Sequence, residues 1–575
     1  MKRLLSLLFF IVCTLLEANA LRVRTDRVTY EVDLTAHTAE MIELDKDFSG
    51  RLTIPNPLKL GYDDYAVVGI ADNACKNRSG LKSATLPETV TYIGQSVFQG
   101  CNNLETVNIP DDVKRIEYAT FMGCESLTSV IIPEGVEYIG VSAFQGCLKL
   151  ESINFPKNTN EIGESAFSNT ALTAVKIQGS GKTTIGKQAF NMCQNVKTIE
   201  IGDGVVSIGD EAFWHCWQTE SVIIGNQVKT IGAGAFNYCD LLHSVTLGEG
   251  LEIIGAGAFG GCDNLKEVHI PNLQVWCNIS FEGIKSDEIS ISGLSANPLT
   301  IAKHLFINGE EVKELVIPEG VDKLADGLFW GYKELTSVSI PGSVKDIGNY
   351  SFAKCGNITS VALQEGTETI GIYAFLECYQ LKEMVIPNSV KVLGSSAFSY
   401  CTNMTDVKVG DGVTALENNV FCDCSSLTSV TLPEGLTSIG FLAFGGCSLT
   451  QINIPEHVTK IGINAFYGCS SLADIYVHSS TPAEIGEYTF WEKTYSKATL
   501  HVPSGNLQNY ATAAHWNRFI HIVDDVEPSA ILSPKATEEP QMIFDINGNR
   551  LPHLTPGINI IKYHNGEIRK RYVKQ

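Results

Sequence analysis

Residues 129–147 read SVIIPEGVEYIGVSAFQGC, and near-copies recur as SVSIPGSVKDIGNYSFAKC at 337–355 and SVTLPEGLTSIGFLAFGGC at 429–447. The Phe of each copy marks a period. It falls at 98, 121, 144, 167, 190, 213, 236 and 259, always 23 residues apart. A second series runs 306, 329, 352, 375, 398, 421 and 444 at the same step and continues at 466 and 490. A fixed period of this size is the mark of a stacked solenoid, with one supersecondary unit per coil.

One copy gives the coil. Val130 and Ile132 point inward and Ile131 outward, the period of a short strand. Pro133 closes it, having no N–H to give a ladder. Glu134-Gly135 makes a turn. Val136, Ile139 and Gly140 form a second extended run, and Ala143 to Cys147 bends the chain back. The apolar positions are too sparse for a long helix, so each coil has at most a single helical turn. A lone coil buries too little to offset its ordering entropy. Stacking supplies neighbours above and below, worth about 1.5–3 kcal/mol per large buried residue. The expected fold class is therefore a β-rich repeat solenoid in which Phe is a core knob.

The Cys three residues after the Phe occurs at 101, 124, 147, 193, 216, 239, 262, 355, 378, 401, 424, 447 and 469. In other coils the slot reads Thr170, Gly309, Tyr332 and Lys493, and Cys75 fills the Phe slot of a leading coil. Three readings stand. A buried thiol can serve as a small hydrophobe with a weak donor. Disulfides suit an exported chain. However, coils stacked about 4.8 Å apart hold parallel Cβ atoms beyond the disulfide mean of about 3.8 Å. Metal binding would need a tetrahedral cluster with companion ligands, which one file of thiols does not offer. Cys277 and Cys422 lie outside the file.

The chain has 575 residues, 44% of them hydrophobic, with a formal net charge of −22. It is too long for one compact core. It is also too acidic for a nucleic-acid partner, which calls for clustered Lys and Arg. Residues 1–20, MKRLLSLLFFIVCTLLEANA, read as an export signal. Lys2 and Arg3 form its basic end, Leu4 to Leu16 its apolar run, and Ala18-Asn19-Ala20 its cleavage site. No later run is apolar for long enough to cross a membrane.

The pattern I-P-x-x-V-x-x-I-G-x-x-A-F-x-G-C-x-x-L-x-x-V resembles the BspA-type leucine-rich repeat, the 23-residue class of bacterial surface proteins and some parasitic protists. The likeness covers roughly residues 65–500. Glu117, Ala325 and Glu417 depart from it where Gly is usual. The resemblance implies repeat arrays at 75–270 and 312–497 around a degenerate pair at 271–311. It also implies an N-terminal β cap over 21–74. Residues 498–524 give a strand, a short helix carrying Leu507, Tyr510 and Trp516, and a final strand, read as the C-terminal cap. Pro528, Pro534 and Pro540 mark a linker over 525–540. Residues 541–575 carry strands separated by Asn547-Gly548 and Asn565-Gly566 turns. They resemble the small β-sandwich sorting module of Bacteroidetes-type exported proteins, on Phe544-Asp545-x-Asn547-Gly548, Pro556-Gly557-Ile558 and the basic end at 570–574. A small accessory β-module is the other reading.

Catalytic constellations are missing from the sequence. There is no Walker loop, G-x-S-x-G elbow or H-E-x-x-H helix. Asp545-x-Asn547-Gly548-Asn549 lacks the closing Glu of a calcium loop. Phe213-Trp214-His215-Cys216-Trp217 is a bulky turn or an exposed patch. The expectation is no enzyme, no metal and no cofactor; a hydrolase site in 272–311 is the remote alternative. About 18 coils at ~4.8 Å would make a rod or arc of roughly 85 Å, suited to a macromolecule. Candidate ligand-facing residues at the outward strand position are Asn108, Asn154, Lys176, Glu200, Thr246, His269, Lys408 and Tyr476. Partners implied by the family are host extracellular matrix or cell-surface proteins, or other bacterial surfaces. The expected protein is a secreted or cell-surface monomer acting as an adhesin; a passive structural envelope protein is the alternative.

Overall fold

The computed structural model describes residues 20–283 and 296–526, together with the strands Met542–Phe544, Arg550–Leu551, Gly557–Lys562 and Ile568–Val573. The export signal expected over 1–20 lies outside the described residues but for Ala20, and so does the linker expected over 525–540 beyond Val526.

The repeat folds as a parallel β-solenoid of about 19 turns. In the coil quoted above, Ser129–Val130 and Tyr138–Ile139 are the two strands. Each pairs in parallel with the coil 23 residues on: Val130 with Ile153, and Ile139 with Ile162. Val130 and Ile132 are buried, whereas Ile131 is 79% exposed. The N–H of Val136 bonds the carbonyl of Pro133 at 3.0 Å, closing the turn between the strands. Beyond Gly140 the chain bends through left-handed residues, Ser142 at φ 54° and Gly146 at φ 73°. The amides of Ser142, Phe144 and Gly146 donate to Glu164, Ala166 and Ser168 of the next coil at 2.7–2.9 Å. Backbone polar groups are thus paired between coils on the bend as well as on the strands, which lets the interior be largely apolar.

The interior is single file. From Phe98 to Phe259 successive rings stack with centroids 5.0–5.5 Å apart. From Phe329 to Phe490 they stack at 5.1–5.7 Å. Gly after the second strand has a steric cause. A Cβ on Gly232 would sit 2.5 Å from the backbone of Gly209 in the coil before.

The Cys file is settled by its hydrogen bonds. Each thiol donates to the carbonyl of the Phe one coil back: Cys124 to Phe98 at 3.1 Å, Cys378 to Phe352 at 3.3 Å, Cys469 to Phe444 at 3.1 Å. Cys101 does the same to Cys75, which holds the Phe slot. The thiols of the file are buried and free. Burial pushes Cys101 and Cys193 up to about 11 and Cys147 and Cys355 up to about 12.

The 23-residue count breaks at the seam between the two arrays. Phe306, taken as the first knob of the second series, lies on the strand His304–Ile307 opposite His269. Its half-buried ring stacks on that imidazole at 5.0 Å. Gly309, taken as a Cys slot, is a turn residue at φ 82° between that strand and Glu310–Glu311. The cause is a helix, Leu273–Asn278, whose first turn is capped by the Asn272 side chain accepting from Val275 N. At six residues it exceeds the single turn expected of a coil. Trp276, Leu299, Ala302 and Leu305 fill the core there. The strand ladder stops at Glu310–Glu311 and restarts at Glu314–Val316. Buried Asn297 bridges the break, donating to the carbonyls of Gly327 at 2.9 Å and Leu328 at 3.1 Å.

At the N-terminal end Ala20–Thr25, Val28–Asp33 and Thr38–Leu44 pair antiparallel. Asp63–Ile70 then joins this sheet to Tyr92–Ile93, the second strand of a leading coil. At the other end Thr499–Pro503 and His521–Val526 extend the ladder. Trp516 covers Phe490 and Tyr510 packs edge-on against Trp516, and their polar tips donate to Ala483 O and Ser479 O at 2.8 and 2.7 Å. Leu507, expected to cap the core with them, is exposed instead, because it opens the helix Leu507–Thr512 on its solvent side. Lys493, taken as a Cys slot, sits exposed on the helix Glu492–Lys497. One core runs from Val28 to Phe519. The four C-terminal strands pair antiparallel; a sandwich needs two facing sheets, and among the described residues these strands form one.

Candidate functional site

The outward strand positions stack because the strands pair in register. Lys176, Glu200, Ile223, Thr246, His269 and Phe306 form one uninterrupted file. Four of the eight candidate residues, Lys176, Glu200, Thr246 and His269, therefore come together. Lys176 Nζ meets Glu200 Oε2 at 2.6 Å. His269 Nε2 lies 3.1 Å from Glu267 Oε2 while its ring packs on Phe306.

Beside this file the strand ends change chemistry. Where most coils carry Pro after the strand, residues 202, 225 and 248 are Gly. A Cβ on Gly248 would fall 2.2 Å from Gly225 O, and one on Gly225 2.5 Å from Gly202 C. The small residues leave a depression of about 350 Å³ bordered by Gln178, Glu200, Ile223, Asn226 and Thr246. Asp203 and Asn226 brace its edge by accepting from Asn226 N at 2.6 Å and Glu249 N at 3.1 Å. Ile223 stands 47% exposed in the middle. An apolar centre with a polar border is the anatomy of a recognition surface.

The other four candidates lie elsewhere. Asn108 and Asn154 are tied to the backbone. The Asn108 amide accepts from Leu86 N and donates to Leu86 O, both at 2.7 Å. Asn154 does the same to Ile132 at 2.8 and 2.6 Å. They stand in for ladder bonds that the two-residue strands of those coils lack. Lys408 is exposed between Val385 and Thr431. Tyr476 stacks on His501 at 4.2 Å. His501 is held by Asp525 at 2.9 Å and Asp474 at 3.2 Å. Ile131, Ile223, Val316 and Val385, none of them among the eight candidates, are exposed apolar residues at outward strand positions. Their signal was an apolar residue at a position that alternation turns outward.

Among the described residues no three His, Cys, Asp or Glu side chains converge as metal ligands, and no helix is long and apolar enough to cross a membrane.

A single file of aromatic knobs, a thiol file bonded to it and two parallel ladders define a leucine-rich repeat solenoid. The chain belongs to the BspA type leucine rich repeat region family, whose profile matches residues 68–184, 179–288, 299–428 and 393–517. Among solved structures it is similar to a leucine-rich repeat protein of Bacteroides ovatus at 22% identity, over 79% of this chain and 94% of that one, with TM-score 0.42. It is also similar to a leucine rich cell surface protein of Faecalibacterium prausnitzii at 22% identity, over 80% and 94%, with TM-score 0.27. A third is the pneumococcal vaccine antigen PcpA, at 16% identity over 88% and 99%, with TM-score 0.25. No curated protein matches the chain.

Proposed function

We propose that this chain is a secreted or surface-displayed binding protein, an adhesin. It engages host extracellular matrix or cell-surface proteins, or other bacterial surfaces, through its strand face. The observation that carries the reading is the file from Lys176 to Phe306 with exposed Ile223 beside the glycine-lined depression. An exposed isoleucine set against such a depression, with polar residues around it, offers the apolar centre and polar rim that a protein partner covers. Membership of a family of bacterial surface repeats supports the same reading. Many weak contacts along a rigid face add up without a deep pocket. The export signal over 1–20 and the sorting module over 541–575 would deliver and hold the solenoid outside the cell. The test is binding of the full chain to immobilised fibronectin, laminin, collagen, fibrinogen and whole bacterial cells. Saturable binding at sub-micromolar concentration, weakened tenfold or more by Ile223→Asp, is the expected result. No saturable binding to any of these surfaces would leave the passive envelope component as the better description.

A further inference from the structure

The coils around Trp217 hold a second surface, at the start of the strands whose far ends border the glycine-lined depression. The residue two after the Phe is left-handed in coil after coil and is Gly at 100, 123, 146 and 261. At 192, 215 and 238 it is Met, His and Tyr, at φ 58°, 59° and 57°. Bulky side chains in that conformation carry backbone strain that glycine would relieve. The strain has a visible product. His215 stacks on Tyr238 at 4.8 Å, and its Nδ1 accepts the indole N–H of Trp217 at 2.8 Å. Trp217, 39% exposed, is thereby held in place as one wall of a cleft of about 360 Å³. Gln194, Asn195, Gln218, Lys197 and Thr173 supply the rest.

These amides are uncommitted. Five residues after the Phe, Asn103, Asn264 and Asn357 spend their side-chain N–H on carbonyls of the preceding coil, at 2.6–2.8 Å. Asn195 and Gln218 hold the same register position and make no such bond, and Gln194 beside them has no side-chain partner among the described residues. The cleft thus pairs one fixed aromatic face with amides that both donate and accept.

We propose that this cleft binds a neutral pyranose saccharide. A sugar ring offers a C–H face for the indole and a rim of hydroxyls, each donor and acceptor, for Gln194, Asn195 and Gln218. A volume of this size suits one or two rings. The formal net charge of −22 disfavours acidic glycans. The site goes beyond the strand-face reading and does not rest on it.

The test is calorimetric titration of the full chain with cellohexaose, chitohexaose, laminarihexaose, xylohexaose and mannohexaose. At least one of them binds saturably. Trp217→Ala weakens that binding tenfold or more, Asn195→Ala threefold or more, and Tyr400→Ala, at an exposed tyrosine of the second array, not at all. Ile223→Asp also leaves it unchanged, which separates this site from the protein-binding face. No saturable hexaose, or Trp217→Ala binding as tightly as wild type, overturns the proposal, as does a cleft that takes only a protein. Should Trp217→Ala alter the circular dichroism spectrum, Asn195→Ala and Gln218→Ala decide: unchanged binding in both overturns it.

Discussion

The thiol of Cys147 donates to the main-chain carbonyl of Phe121 at 3.3 Å, and that carbonyl also accepts the N–H of Cys124 at 3.1 Å. Where the next coil carries Cys, the Phe carbonyl on the bend thus has two acceptor sites filled, one from its own coil and one from the next. A side chain in this slot must be small, apolar enough for the core and able to donate. Cys meets all three demands; Thr170 shows that a buried hydroxyl fits the slot, where its Oγ1 pairs with Cys193 Sγ at 3.2 Å. Cys147→Ala removes the donor and the sulfur volume and should cost about 1–2 kcal/mol. Cys147→Thr should cost less than half of that. Urea unfolding midpoints of the two variants check the order, and an alanine variant as stable as wild type would show that the bond contributes nothing.

The same burial predicts alkaline weakness. In an unfolded chain thiols titrate near 8.5, whereas Cys147 and Cys355 are pushed to about 12 in the folded state by desolvation. Their folded values are raised, so the stability they contribute is whole below pH ~8.5. It falls as pH climbs toward 12, because only the unfolded chain has released its protons. The loss approaches about 1.4 kcal/mol per thiol for each pH unit in that window. Melting temperatures should therefore drop steeply between pH 8 and pH 10, and less steeply when Cys147 and Cys355 are replaced by Thr. A flat profile over that interval would contradict the thiol file as drawn.

Legibility from sequence followed the physics of repetition. Phe121, Phe144 and Phe167 could be read because every coil offers each the same surroundings, so a one-dimensional period carries the three-dimensional file. Phe306 could not, because period counting assumes equal coils. The Asn272-capped helix and the turn at Gly309 shift the register while leaving a Phe at the counted position. Asn108 and Asn154 read as ligand-facing because strand alternation turns them outward, but an outward amide next to a short ladder can fold back onto backbone carbonyls and amides. The depression at Gly202, Gly225 and Gly248 was visible only as missing prolines, a signal that means something once the coils are known to stack.

Asn297 governs the seam between the arrays. Its side-chain N–H₂ is shared by the carbonyls of Gly327 and Leu328, and its Oδ1 accepts from Leu299 N at 2.9 Å. Asn297→Leu matches its size but orphans these groups at a fully buried position. The expected loss is about 2–3 kcal/mol, concentrated at the seam, since coils contact only their neighbours. Hydrogen exchange of amides in 327–332 should speed up in the variant while those around Phe144 stay protected. Equal change in both regions would mean that the solenoid unfolds as one unit.

Met192 is the cleanest test of stored strain. It lies at φ 58° in a slot that the coils at 100, 123 and 146 fill with Gly, and its side chain is exposed. Left-handed backbone costs a non-glycine residue about 1–2 kcal/mol, and the extra freedom glycine has in the unfolded chain returns part of that. Met192→Gly should therefore stabilise the chain by roughly 0.5–1 kcal/mol, read as a higher urea midpoint. Gly146→Met, the reverse change at φ 73° in a relaxed coil, should lower it by a similar amount. If Met192→Gly were instead destabilising, the methionine would be making packing contacts worth more than its strain, and the argument from strained positions to a built surface at His215 and Tyr238 would lose its footing.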